Sequence, residues 1–257
     1  CTTTYENVIT DLSVSTHKIG VLSNNIANAG TTAFKRSEAT FRDVYLTGGG
    51  MANLSIGQGS LVHTNRSSHN PAELEKTGMS SDVAVNGHGM FILGSIDGDG
   101  SLRYSRNGSF QIDRNGLLTA SDGSPVLTKE LQTITVPSEV NGSPLTEFNI
   151  SQEGDVRGTY GLKTPIDLGR IGLASFDNPS ELNQIGDGYY VSNAEAGLYG
   201  LFDAKDGGTG TLLSGHLEVA NVDISEELIG LISAQQAFSA ASKALQADSD
   251  MVARFTR

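Results

Sequence analysis

Five histidines, His17, His63, His69, His88 and His216, are the side chains best placed by type to move protons or bind a metal near neutral pH, yet no two form an H-x-x-x-H pair. Their scatter makes each a surface or turn residue in this reading. "GHGMFI" and "GTGTLL" begin like a dinucleotide fingerprint but lack its third glycine and the helix that must follow. Neither a G-x-S-x-G elbow nor a P-loop lysine pattern occurs. "DGDGSL", from Asp97 to Leu102, has the start of a calcium loop, but Leu102 stands where glycine is required and no bidentate acid closes the loop. A hairpin tip explains it better. The one cysteine, Cys1, can form neither an intrachain disulfide nor a cysteine metal site. A Ser-His-Asp site assembled from distant segments would leave no mark in the sequence. The expectation is therefore no catalytic residue, no metal, no cofactor and no small-molecule substrate.

Composition points the same way. A chain of 257 residues with a net charge of −12 is unsuited to nucleic acid or an anionic membrane surface. With 31 glycines, no tryptophan and 37% hydrophobic residues, it should build short strands, many turns and thin cores. Such a chain tends to complete its burial against copies of itself or against partners. No run of about 18 apolar residues occurs, and the start has neither the basic region nor the apolar stretch of a secretory signal. Either the protein stays in the cytosol or it leaves without a cleaved signal. A lipid-bearing Cys1 is the lesser reading, because a packing helix follows it directly.

The elements that must position any site begin with an N-terminal helix. Tyr5, Val8, Leu12, Ser15, Ile19, Leu22 and Ile26 alternate spacings of three and four, a heptad seam that seeks a partner helix. Asn28, Ala29 and Gly30 should end it, with Gly30 as the left-handed closing residue. About 22 helical residues would make a seam roughly 33 Å long. Ile224, Leu228, Leu231, Gln235, Phe238, Ser242, Leu245, Ser249 and Val252 repeat the alternation near the C-terminus, after Asp223 and Glu226 spaced as a capping box. The two ends should pair. Ile9, Ile232, Ala234, Ala237, Ala240 and Ala241 would remain as surplus apolar surface, to be covered by other subunits.

Between the ends, short apolar runs alternate with turn signals, and Asn86-Gly87, Asn107-Gly108, Asn115-Gly116 and Asp122-Gly123 mark hairpins or tight turns. The segment from Thr47 to Gly59 is linker-like, and "NPAELEKTG" from Asn70 could form a helical turn. The predicted fold is α+β: terminal helices at 1–30 and 222–257 pairing as an antiparallel coiled coil, an antiparallel β domain at 31–125 and 171–221, and a small inserted outer β domain at 126–170.

"NNIANAGTTAFKR" resembles the signature of bacterial flagellar rod and hook proteins, N-N-x-A-N-x-x-T-x-x-F-K, and Asn24, Asn25, Ala27, Asn28, Thr31, Phe34 and Lys35 meet every fixed position. "SSDVAVNGHGMFIL", "YSRNGSFQIDRNGLLT" and "GHLEVANVDISEELIGLISAQQAFSAASKAL" look like the same family, so the likeness spans essentially the whole chain. Departures are small: Met90 replaces an aromatic residue, Ala33 stands where glycine or another small residue is common, and Gln236-Ala237-Phe238 lacks a usual basic residue. The resemblance implies a structural subunit, exported by the flagellar type III apparatus and polymerised into a helical tube, with neighbouring rod or hook proteins and an assembly cap as partners. It implies that Tyr5, Val8, Leu12, Ile19, Leu22, Ile26, Leu228, Leu231, Phe238, Leu245 and Val252 face other helices. The asparagines would end the inner helix and bond to neighbouring backbone, while Phe34 and Phe41 anchor the next segment on the β domain. The motif and the short linker favour a hook protein, whereas chain length and the single small insert suit a rod protein. Hook is the favoured reading and rod the alternative. A monomeric β-rich adhesin with Tyr189, Tyr190 or Tyr199 at its binding loops is the reading from a different class.

Overall fold

The structure, a computed structural model, describes residues 2–45, 57–95 and 100–255, and side chains within 8–40, 65–95 and 100–254. The chain gathers into two compact units, one of Cys1–Ala29, Arg36–Ser68 and Val222–Arg257, the other of Gly30–Lys35 and His69–Asn221.

The first unit holds helix α1, Thr2–Ala27, the antiparallel strands β1, Ser37–Tyr45, and β2, Gly57–Ser67, and helix α2, Ile224–Phe255. Helix α1 stops because the Asn28 amide turns back to the carbonyls of Asn24 and Asn25 at 3.1 and 3.2 Å, while its side chain donates to Asn24 O at 2.9 Å. Gly30 does not supply the expected left-handed residue; Ala33, with φ 56°, takes that conformation, which explains why glycine would suit its position. Helix α2 starts where Asp223 Oδ1 accepts the amides of Ser225 and Glu226 at 2.8 and 3.3 Å. The reciprocal half of the capping box gives way to an ion pair, because Glu226 reaches Arg36 at 3.5 Å. At Gly230 a Cβ would lie 3.2 Å from Leu22 Cδ2, so the missing side chain lets α1 and α2 approach closely. Residues 47–56 of the expected linker lie outside the described residues, while Gly57–Gly59 belong to β2, where Tyr45 pairs with Gly57. Glycine-rich composition says little about a strand whose partner supplies the ladder.

The second unit is built from β3 Leu74–Lys76, β4 Val83–Asn86, β5 Met90–Gly94, β6 Leu102–Ser105, β7 Gln111–Ile112, β8 Leu118–Thr119, β9 Glu139–Val140, β10 Ser143–Ile150, β11 Asp155–Tyr160, β12 Ile166–Arg170, β13 Gly172–Phe176, β14 Asn183–Gly186, β15 Tyr189–Val191, β16 Leu198–Asp203, β17 Thr211–Ser214 and β18 His216–Glu218. A six-stranded sheet runs β14-β15-β6-β5-β13-β16 and a four-stranded sheet β12-β11-β10-β9, with every described strand pair antiparallel. The run Met90–Leu93 explains the core. Side chains alternate across a strand, so Phe91 and Leu93 enter one apolar cluster with Val83, Leu173 and Leu212, while Met90 and Ile92 enter another with Tyr104, Ala174 and Tyr190. Burying each of these large side chains stabilises the unit by about 1.5–3 kcal/mol.

The architecture is α+β, with two long helices and a mainly antiparallel middle. Two local readings are corrected. Residues after Asn70 form strand β3 against β18 instead of a helical turn, because Leu74 and Lys76 find ladder partners in Glu218 and His216. Asn86-Gly87 closes no hairpin, since β4 pairs with β17 while β5 pairs with β6 and β13. At Gly108 a Cβ would stand 1.7 Å from the Val83 carbonyl oxygen, so the backbone there tolerates only glycine.

Candidate functional site

The asparagine-rich motif feeds two buried polar clusters, one in each unit. In the first unit Asn25, fully buried, donates through Nδ2 to Ser37 O at 2.9 Å and to Glu227 Oε2 at 3.0 Å, while its Oδ1 accepts the Ser37 amide at 3.0 Å. Every polar atom of the amide is thereby used, as burial demands. The other oxygen of Glu227, itself fully buried, pairs with Arg36 Nε at 2.7 Å. In the second unit Lys35 Nζ meets Glu218 Oε1 at 2.5 Å and donates to Asn70 O at 2.9 Å. Glu218 Oε2 accepts from Arg106 Nε at 2.8 Å, and Arg106 continues through Nη1 to the carbonyls of Gly87 and Gly89 at 2.8 and 2.6 Å.

One carboxylate thus holds two cations, all three side chains at most 7% exposed. Burial pulls the Lys35 pKa down, and the facing Glu218 opposes that pull. Removing such charges from water costs several kcal/mol per ion, which only the short bonds on every side repay. His69 lies in the same unit with its ring edge-on to Tyr190, centroids 5.2 Å apart. Burial first, then the charges of Lys35 and Arg106, lower its pKa to about 4, so it is neutral at pH 7.

His69, Arg106, Met90, Phe176, Asp177 and Tyr199 help line a cleft of about 690 Å³ within the second unit. Among the described residues no group of three or more His, Cys, Asp or Glu side chains could hold a metal, and Asp97 to Asp99 lie outside them. Of the three tyrosines proposed for a binding loop, Tyr189 and Tyr190 are buried and only Tyr199 is exposed, because the first two sit on β15 inside the six-stranded sheet.

Of the motif residues, Asn24, Ala27 and Thr31 are exposed, Asn28 is half-buried, and Asn25, Phe34 and Lys35 are buried. Asn25 and Asn28 make the hydrogen bonds described above within the chain. The side chains of Tyr5 and Phe41 fall outside those described. On α1, Leu22 is buried and Val8, Leu12, Ile19 and Ile26 are half-buried. On α2, Leu231 and Leu245 are half-buried, but Leu228, Phe238 and Val252 are 44%, 36% and 50% exposed. Among the described side chains of α2 the buried ones are Glu227 and Ala234, each one residue before a seam position, so its packed face is turned from the one that apolar spacing selects. The sequence reading missed Glu218, Glu227 and Arg106. Only Glu218 carried a signal, a charge inside the apolar stretch "HLEV"; Arg106 in "YSRNG" and Glu227 in "SEEL" sit among polar neighbours.

A family model described as flagellar hook protein FlgE/F/G D1 domain matches residues 84–158, and one described as flagellar basal body rod FlgEFG protein C-terminal matches residues 213–256. The flagellar basal-body rod protein FlgG of Buchnera aphidicola from Acyrthosiphon pisum is 31% identical over 261 aligned residues, covering 96% of each chain. FlgG of Bacillus subtilis is 33% identical over 247 residues, covering 91% of this chain and 90% of the relative. The chain belongs to the flagellar rod and hook protein family. FlgG of Borreliella burgdorferi adds 31% identity over 92% of the chain.

Within the flagellar rod and hook family, these relatives do not support the preference for a hook protein. These full-length relatives are rod proteins, and the rod reading that chain length suggested fits them better. Length is the stronger cue because it counts every inserted element, whereas the linker is a single short segment. The family is a structural one, and no helix among the described residues is long and apolar enough to cross a membrane.

Proposed function

We propose that this chain is a structural subunit of the flagellar basal-body rod, polymerising with copies of itself into a helical tube. It is exported by the flagellar type III apparatus and meets neighbouring rod and hook proteins, and an assembly cap, outside the cytoplasm. The observation that carries the reading is its near full-length likeness to rod proteins. The apolar face of α2 supports it: Leu228, Ile229, Ile232, Phe238 and Val252 stay 36–65% exposed, more than a lone soluble helix pair would leave. In the tube these side chains, with Val8, Leu12, Ile19 and Ile26 of α1, face terminal helices of adjacent subunits. Head-to-tail contacts that do not close into a ring extend into a filament.

Complementation of a strain lacking the gene tests this. The intact chain is expected to restore motility and a full-length rod in purified basal bodies, and Leu228→Asp or Phe238→Asp to abolish both while leaving the β signal in circular dichroism unchanged. Normal rods built from both variants would refute the assigned interface. Failure of the intact chain to enter basal bodies would refute the rod reading.

A further inference from the structure

Four Asn-Gly dipeptides occur in the chain, at Asn86, Asn107, Asn115 and Asn141, and their surroundings differ sharply. An asparagine followed by glycine can lose its side-chain amide when the glycine nitrogen attacks Cγ. That reaction needs a free amide and a backbone that can bend. Asn86 ends β4 opposite Thr211, and the Gly87 carbonyl is held by Arg106 at 2.8 Å. Asn107 Oδ1 accepts the Ser109 amide at 3.1 Å, and Gly108 is pressed against Val83. The Gly116 amide donates to Asp113 O at 2.8 Å, while Asn115 Nδ2 donates to Asp113 Oδ2 at 3.2 Å. In each case the attacking nitrogen, the amide or the backbone between them is held in place.

Asn141-Gly142 is different. It forms the two-residue turn between β9 and β10, where Ser143 pairs with Val140. With φ of 51° and 75°, the pair has the left-handed backbone of a tight hairpin. Both residues are exposed, nothing lies within 4 Å of where a Gly142 Cβ would be, and neither the Asn141 side chain nor the Gly142 amide makes a hydrogen bond among the described residues.

We infer that Asn141 is a site of spontaneous covalent modification by succinimide formation. The Gly142 nitrogen bonds to Asn141 Cγ, the Cγ–Nδ2 bond breaks, and the amide leaves as ammonia carrying the proton that Gly142 gives up. Water then opens the ring at either carbonyl, giving aspartate or isoaspartate. The product adds a negative charge, and in the isoaspartyl form an extra methylene enters the main chain at a turn whose register allows only two residues. The short pairing of β9 with β10 is then lost, while the other three asparagines lose their amides more slowly.

The test is peptide mapping by mass spectrometry of the purified full-length chain during incubation at mildly alkaline pH, folded and in urea. In the folded chain Asn141 is expected to convert about tenfold faster than Asn86, Asn107 or Asn115, the factor that roughly one retained hydrogen bond imposes. In urea the four rates should draw together. Asn141→Gln should remove the fast phase. Equal rates for the four sites in the folded chain, or faster loss at Asn107 or Asn115, would overturn the inference.

Discussion

Replacing Glu218 by glutamine removes the charge that lies between Lys35 and Arg106 and leaves the shape of the side chain. Both cations are then buried without a counter-ion, with Lys35 at 1% and Arg106 at 7% exposure. Removing one partner of a buried pair costs about 3–5 kcal/mol. The glutamine oxygen still accepts from one cation and recovers about 1 kcal/mol, so roughly 3 kcal/mol remains. For a chain of this size that lowers the Tm by about 6–12 °C. Lys35→Met should cost much less, under about 1.5 kcal/mol, because it removes a desolvated ammonium and leaves Glu218 paired one to one with Arg106. Urea unfolding followed by tyrosine fluorescence reads the effect directly, since tryptophan is absent and Tyr104, Tyr160, Tyr189, Tyr190 and Tyr199 all lie in the second unit. In the double variant only one cation remains, so its cost should fall short of the sum by about 1–2 kcal/mol. If Glu218→Gln costs no more than Lys35→Met, the carboxylate does not bind the two cations together and the account of this cluster is wrong.

Asn25→Ala strips two bonds from Ser37 and one from Glu227, and should destabilise the first unit by about 2–4 kcal/mol, seen as earlier loss of helical circular dichroism in urea. His69 has its pKa lowered to about 4 in the folded chain, so the unfolded chain binds the proton first as pH falls. Its contribution is intact above pH 6.5 and is lost progressively down to about pH 4, by about 2–3 kcal/mol after allowance for partial exposure. His69→Gln should flatten that part of the stability-against-pH curve, and an unchanged slope would exclude His69 as its source. Gly108→Ala forces a methyl group onto the Val83 carbonyl and should cost more than about 4 kcal/mol, or prevent the second unit from folding, by the same urea assay.

Much of the frame was legible because it rests on local rules. Helix α2 begins at Ile224, where Asp223 announced a cap, and the continuous apolar run Met90–Leu93 became a strand buried on both faces. The buried ionic clusters were not legible. Lys35 and Asn25 were visible as motif residues, but spacing along a chain carries no information about which distant carboxylate will meet them. The turn of α2's packed face has a similar cause. Apolar spacing selects Leu228, whereas the bonds of Glu227 to Asn25 and Arg36 bring the neighbouring face inward and leave Leu228 exposed. Asn86-Gly87 shows the limit of turn chemistry: the dipeptide marks a bend, but strand partners decide whether the bend becomes a hairpin.

Both polar clusters close late in the passage of the chain. Lys35 precedes Glu218 by 183 residues and Asn25 precedes Glu227 by 202. A chain made from its N-terminus at about 5–20 residues per second waits roughly 10–40 s before either partner exists. During that interval the early amide and ammonium groups remain hydrated, and contacts so distant in sequence are slow to form even afterwards. Completion of the fold is therefore timed by arrival of the C-terminal segment, and a chain still being made cannot close either polar cluster at its N-terminal end.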